Sequence, residues 1–332
     1  MAAEIAEQPA VLARVLENAP AITEAARRIA ASGPRFVLIA ARGTSDHAGL
    51  YAKYLAEVAM QLPSGLVSPS SLTVYGAAPN MTDVLFLAVS QSGRSPDLVD
   101  SLVVARERGA LTVAVTNAPD SPLAQAAEIS VDVKAGPELA VAATKTYTAE
   151  LLALNLLLAG EAAASSAAGV PEAAARTLAL TDDAALSQLA NHFHDRARIV
   201  VTARGYSYAT AREAALKLME TSYLSAQAFS GADLLHGPLA MIDATVPVIA
   251  VTSPGLGGQA MAPVLERLAQ LDTRVLRVAP DGELPTAAAG VPEQLLPILE
   301  ILPLQRFAWQ LALARGGDPD RPRGLSKVTE TH

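Results

Sequence analysis

Residues 36–57 read FVLIAARGTSDHAGLYAKYLAE, and the pattern returns at residues 199–220 as IVVTARGYSYATAREAALKLME. Each stretch is an apolar, β-branched run, then Ala-Arg-Gly, then a hydroxyl residue, then apolar positions at helical spacing. The triplets Ala41-Arg42-Gly43 and Ala203-Arg204-Gly205 stand 162 positions apart. The same offset pairs VLFLAVSQSG (84–93) with VPVIAVTSPG (246–255), and LTVAVTNAPDS with TRVLRVAPDGE falls within one residue of it. Three matches in one order identify two copies of a single α/β unit, residues 28–165 and 187–332. The Ala/Gly-rich stretch 159–175 reads as their connection. Residues 1–27, with Val11, Leu12, Val15 and Leu16 on one helical face, read as a docking helix.

The runs Phe36–Ala40, Val84–Val89, Leu111–Thr116, Ile199–Thr202, Val246–Thr252 and Arg274–Val278 are apolar without alternation, as expected of parallel strands covered on both faces. Helical patterns follow them. The spacing predicts an α/β protein of two tandem, doubly wound parallel sheets of the flavodoxin or Rossmann type, with ligands beyond the carboxyl ends of the strands. Leu302 to Ala314 reads as the last helix. GGDPDRPRGLSKVTETH behind it is rich in Pro and Gly and reads as irregular.

Composition narrows the function. Of the 332 residues, 25 are Lys or Arg and 33 Asp or Glu, a formal charge of −8, so no global basic field attracts nucleic acid or an anionic membrane. Aromatics are 4%, too few for base-stacking platforms. Cysteine is absent, which removes disulfides, thiolate metal sites and thiol nucleophiles. MAAEIAEQPA carries Glu4 and Glu7 and no basic segment, unlike a signal peptide. Prolines and glycines interrupt the uncharged stretch from Ala244 to Leu265, unlike a membrane helix. The expectation is a cytoplasmic protein.

Three constellations carry chemistry. The first is Ser90-Gln91-Ser92-Gly93-Arg94-Ser95 directly after a strand, with Gly43-Thr44-Ser45 ending the preceding strand. Hydroxyls and unpaired amides at a helix start suit a phosphate dianion; ordinary caps and a tight turn are the alternative. The second copy has Thr252-Ser253-Pro254-Gly255 there, and proline removes an amide donor. The second constellation is Glu213, Lys217 and Glu220 on one helical face, either a solvated ladder or a general base with a tuning amine. His236, followed by Gly237-Pro238, stands downstream on a constrained loop, as an acid/base group or a structural histidine. The third is Lys327 near the end, a frayed cation or, if Pro322-Arg323-Gly324-Leu325-Ser326 docks it, a reactive amine.

Together, GTS, SQSGRS, ALKLMETSY, HGPLA, GPELAVAATKTYTAEL (136–151) and DPDRPRGLSKVTE resemble the sugar isomerase (SIS) family. They are similar to the isomerase half of glucosamine-6-phosphate synthases and to stand-alone SIS-type glucosamine-6-phosphate deaminases. The resemblance implies that Gly43, Thr44, Ser45, Ser90, Gln91, Ser92 and Ser95 hold a sugar phosphate and that Val141, Ala142 and Ala143 line the sugar. It makes Glu220 the carboxylate moving a proton between C1 and C2, Lys217 its neighbouring lysine, and His236 the ring-opening histidine, lent across a homodimer. Lys327 becomes the lysine that forms a Schiff base with the ketose. Arg42, where the synthases have a small thiol residue, Met219 at a polar position and Ser95 for threonine depart from that pattern.

Only about 27 residues precede the first copy and cysteine is absent, so no glutaminase function is expected. The resemblance then implies an isomerising deaminase: D-glucosamine 6-phosphate and water give D-fructose 6-phosphate and ammonia. Neither metal nor organic cofactor is expected. A deaminase or deglycase for galactosamine 6-phosphate or a fructosamine 6-phosphate, and a non-catalytic phosphosugar sensor, remain alternatives.

Overall fold

The computed structural model describes residues 1–327. The chain divides into two compact units. One comprises residues 10–138, 145–168 and 326–327; the other comprises residues 1–9, 139–144 and 169–325.

The first unit is built on a five-stranded parallel sheet of β1 (Phe36–Ala41), β2 (Ser64–Leu66), β3 (Val84–Ser90), β4 (Leu111–Thr116) and β5 (Ile129–Asp132). Their order is β2-β1-β3-β4-β5, so the connections reverse direction between β1 and β3. In open sheets that point leaves a crevice at the strands' carboxyl ends. β1 and β3 are in full register, Phe36 opposite Val84 through Ala41 opposite Val89, which sets the two candidate phosphate loops side by side. Phe86, Leu98, Leu102, Leu123 and their neighbours form a core cluster of this unit. The helix Lys145–Leu158 is buried along its whole length and packs against the helices Ala19–Ser32 and Thr44–Val58. Its run of Leu and Ala suits such a position, and the polar Lys145, Glu150 and Asn155 are buried with it.

The other unit repeats the plan with four strands, β6 (Arg198–Ala203), β7 (Ser225–Ser230), β8 (Val248–Val251) and β9 (Val275–Val278), ordered β7-β6-β8-β9 and all parallel. Val200, Leu234, Val248, Met261, Val264 and Leu268 pack together here. All six strands expected from the sequence form. β2, β5 and β7 were not evident in it, because Ser64–Leu66, Ile129–Asp132 and Ser225–Ser230 lack a continuous apolar run; in Ser225–Ser230 residues 225 and 227 are exposed.

Residues 2–32 form three helices, Ala2–Ala6, Gln8–Glu17 and Ala19–Ser32. The 159–175 stretch is largely helical, in Ala163–Ala167 and the start of Val170–Ala179. The last helix starts six residues earlier than the sequence suggests, at Leu296, and runs through Pro303 to Ala314. Its burial on nearly every side holds it together past the proline. Beyond it the chain is irregular as far as Lys327. No helix among the described residues is long and apolar enough to cross a membrane.

Candidate active site

The repeat is legible at the level of single hydrogen bonds within each unit. Ser45 sits at the start of the helix Thr44–Val58 and donates its hydroxyl to Glu150 at 2.8 Å. Ser207, the equivalent residue of the second copy, donates to Glu300 at 2.8 Å, and Thr210 reaches the other oxygen of that carboxylate at 3.0 Å. The Ser45 side chain is thus turned to a buried carboxylate.

Burial pushes the Glu300 carboxyl above its ordinary value, outweighing the hydroxyls of Ser207 and Thr210. A native acid that holds its proton more tightly than the unfolded chain costs stability as pH climbs through the interval between the two values. Glu300→Gln removes that cost. Its melting temperature relative to wild type should therefore improve as pH rises above the ordinary carboxylate range; thermal melts giving a constant difference would contradict this.

In the five-stranded unit, β1 ends at Ala41 and Gly43, at φ +57°, turns the chain into the helix Thr44–Val58. β3 ends at Ser90, and the loop 91–94 leads to Ser95 at the cap of the helix Pro96–Glu107. Gly93 has φ +60°, and a Cβ there would fall 2.1 Å from the Ser121 hydroxyl, so this loop requires glycine. Ser90 and Ser92 accept from the amides of Gly93 and Arg94 at 3.2 and 3.4 Å, which fixes the loop's curvature. The Ser95 side chain makes no capping bond; in the first turns the Asp46 and Leu98 amides donate to the Gly43 and Ser95 carbonyls at 3.1 and 3.2 Å. Arg42 crosses between the two turns and grips Asp97 with Nε and a terminal nitrogen at 2.8 and 2.7 Å.

Glu138, which sequence reading missed, organises the rest of this half. Its carboxylate accepts from Gln91 Nε2 at 2.9 Å and from the amides of Lys145 and Thr146 at 2.8 and 3.3 Å, at the start of a buried helix. Lys327 Nζ lies 3.5 Å from the same carboxylate. Gln91 and Lys327, distant in sequence, therefore share one anion. A motif search would have had to ask which buried acid could hold both.

In the four-stranded unit, the helix Ser207–Ser222 carries Glu213, Lys217 and Glu220. Lys217 Nζ is 2.5 Å from Glu220 Oε2 and 3.3 Å from Glu213 Oε1. The side chains of Lys217 and Glu213 are wholly buried and that of Glu220 is 19% exposed, which removes the solvated-ladder alternative. Burial alone would pull the Lys217 ammonium down, but Glu213 and Glu220 outweigh it and hold its pKa above the usual value. One carboxylate is sealed. The other faces outward with a permanent cation at its back.

The helix ends at Tyr223 in the left-handed conformation, and Arg323 stacks 4.2 Å over the Tyr223 ring while its amide donates to the phenol at 3.0 Å. The segment before Lys327 is thus docked. His236 is exposed at the end of the helix Gly231–Leu235, ahead of Gly237 at φ +127°, and no contact joins it to Glu220 among the described residues. Val141 is half-buried, and Ala142 and Ala143 are buried, in the turn leading into the helix Lys145–Leu158.

The second copy's equivalent of the phosphate loop is already filled. Gly255, at φ +125°, opens a turn whose Leu256 and Gly257 amides donate to Glu293 at 2.9 and 2.7 Å. A carboxylate of the chain itself occupies these donors.

Comparison with known proteins agrees with this anatomy. The SIS domain model matches residues 33–160 and 192–262, and the chain belongs to the SIS domain family. The glutamine–fructose-6-phosphate aminotransferase (isomerizing) of Gloeobacter violaceus is 34% identical over 98% of this chain and 58% of its own length. The chain thus spans a little over half of such curated relatives. A solved structure from Silicibacter pomeroyi DSS-3 superposes with a TM-score of 0.83 at 33% identity, covering 96% of this chain and 98% of that one. The glucosamine-6-phosphate deaminase of Thermotoga maritima shares the fold, with a TM-score of 0.76 at 20% identity over 97% and 99% of the two chains.

Proposed function

We propose that the chain is a phosphosugar isomerase that releases an amine, converting D-glucosamine 6-phosphate and water to D-fructose 6-phosphate and ammonia. The observation that carries this reading is the buried Lys217 clamped between a sealed Glu213 and a half-open Glu220. A surface helix has no use for a desolvated triad, whereas proton transfer needs a carboxylate of fixed position and charge.

In this reading Gly43, Thr44, Ser90, Gln91, Ser92 and Ser95 hold the phosphate by hydroxyls and helix-start amides, with Ser45 contributing its amide. The Glu293 carboxylate in the second loop supports assigning the phosphate to the first copy. Val141, Ala142 and Ala143 line the sugar, and His236 opens its ring, lent by the other subunit of a homodimer. Glu220 takes the C2 proton, giving an enolamine, and returns it to C1. Water adds to the resulting C2 imine, and ammonia leaves as the ketone forms. Lys327, which lies 3.5 Å from Glu138, attacks the C2 carbonyl when the reaction starts from the ketose and forms a Schiff base with loss of water. The Gloeobacter violaceus relative is named for fructose 6-phosphate and the Thermotoga maritima neighbour for glucosamine 6-phosphate.

Purified protein incubated with glucosamine 6-phosphate should yield ammonia and fructose 6-phosphate in equal amounts. Parallel arms with galactosamine 6-phosphate and a fructosamine 6-phosphate read the epimer and the position of the amine. Ligand-induced stabilisation with no product in any arm would replace this reading by a phosphosugar sensor.

A further inference from the structure

The segment 139–144, which contains Val141, Ala142 and Ala143, clusters with the first nine residues of the chain rather than with its own flanks. The contacts give the reason. The Glu4 carboxylate accepts from the amides of Leu139 and of Ala140, the latter at 3.2 Å, so both donors at the start of the segment end on one acid. At its other end the Thr144 carbonyl accepts from Gln305 Nε2 at 3.2 Å, and Gln305 Oε1 accepts from Gln8 Nε2 at 2.8 Å. Gln8 and Gln305 are both wholly buried. In the middle, the Val141 amide donates to the Asp320 carbonyl at 3.3 Å, and the Asp320 carboxylate pairs with the Met1 ammonium. These ties lead back to residues 1–8, directly or through one intermediary. Irregular backbone held this way keeps a single shape, because each buried amide or carbonyl released without a partner would carry its own desolvation cost.

We propose that Glu4 and Gln8 are positioning residues that brace the segment 139–144 in the conformation that lines the sugar, an inference that rests on the sugar-lining role given to Val141, Ala142 and Ala143 above. Glu4 is the stronger arm. It meets two backbone donors with a full charge, whereas Gln8 acts through Gln305. The brace touches no reacting atom. Its loss lets the segment wander and weakens substrate binding, while the Glu220 chemistry, on another element, continues once substrate is in place.

The test uses the full chain with Glu4→Ala, Glu4→Gln and Gln8→Leu, each followed by hydrogen–deuterium exchange and by steady-state kinetics with glucosamine 6-phosphate. Glu4→Ala should speed exchange within 139–144 about tenfold or more without matching changes in β1, β3 or β6. It should also raise KM several-fold at nearly constant kcat. Glu4→Gln keeps one acceptor oxygen and should recover part of both effects, and Gln8→Leu should act mainly at the Thr144 end. Unchanged exchange in 139–144 overturns the brace, as does a uniform acceleration across the chain. Local acceleration with an unchanged KM overturns its link to the sugar. Should wild type turn over none of the phosphosugars, the functional reading falls, and the exchange pattern still decides the brace.

Discussion

On the proposed mechanism, Glu220→Gln should lower the rate of ammonia release by about 10²–10⁴-fold, the range a positioned base contributes, and leave KM for glucosamine 6-phosphate close to wild type. The amide keeps the shape of the side chain and its contact with Lys217 but has no basicity, so substrate still docks while the C2 proton stays in place. Solvent exchange gives a second reading: in deuterated water, wild type incorporates deuterium at C1 of the ketose and the variant does so slowly. Ammonia release at the wild-type rate would remove Glu220 from the mechanism. A loss confined to KM would make it a binding residue.

Lys217→Met should strongly destabilise the fold. It takes the ammonium from between two carboxylates, one of them, Glu213, completely buried. Breaking a buried pair by deleting one partner costs about 3–5 kcal/mol, because an uncompensated charge is left inside. Lys217→Met combined with Glu213→Gln should recover much of the loss, since the sealed site then holds no net charge. Denaturant melts of the two variants read this directly, and a double variant no more stable than the single would show that Glu213 is not the source of the strain. The comparison also separates stability from catalysis, because the double variant still lacks the cation behind Glu220 and should remain slow.

Much of the active-site proposal could be read from short-range pattern. The SQSG turn follows a strand whose apolar run is unmistakable, and Glu213, Lys217 and Glu220 share a face at helical spacing. What the pattern left open was which side of that face is wet. The burial of Lys217 and Glu213 answers it, and no helical periodicity could, because a Glu–Lys ladder looks alike on a surface and in a core.

The amino-acid sequence by itself determined the doubled α/β plan and the strands β1, β3, β4, β6, β8 and β9, because each apolar run and the turn behind it depend on residues within a few positions of one another. The tertiary structure alone decided the edge strands β2, β5 and β7, the carboxylates Glu138 and Glu293 that occupy or organise the two loops, and the tie of Glu4 to Leu139 across 135 positions. A buried acid takes its role from whichever donors packing brings to it, and packing follows from the whole chain rather than from any window of it.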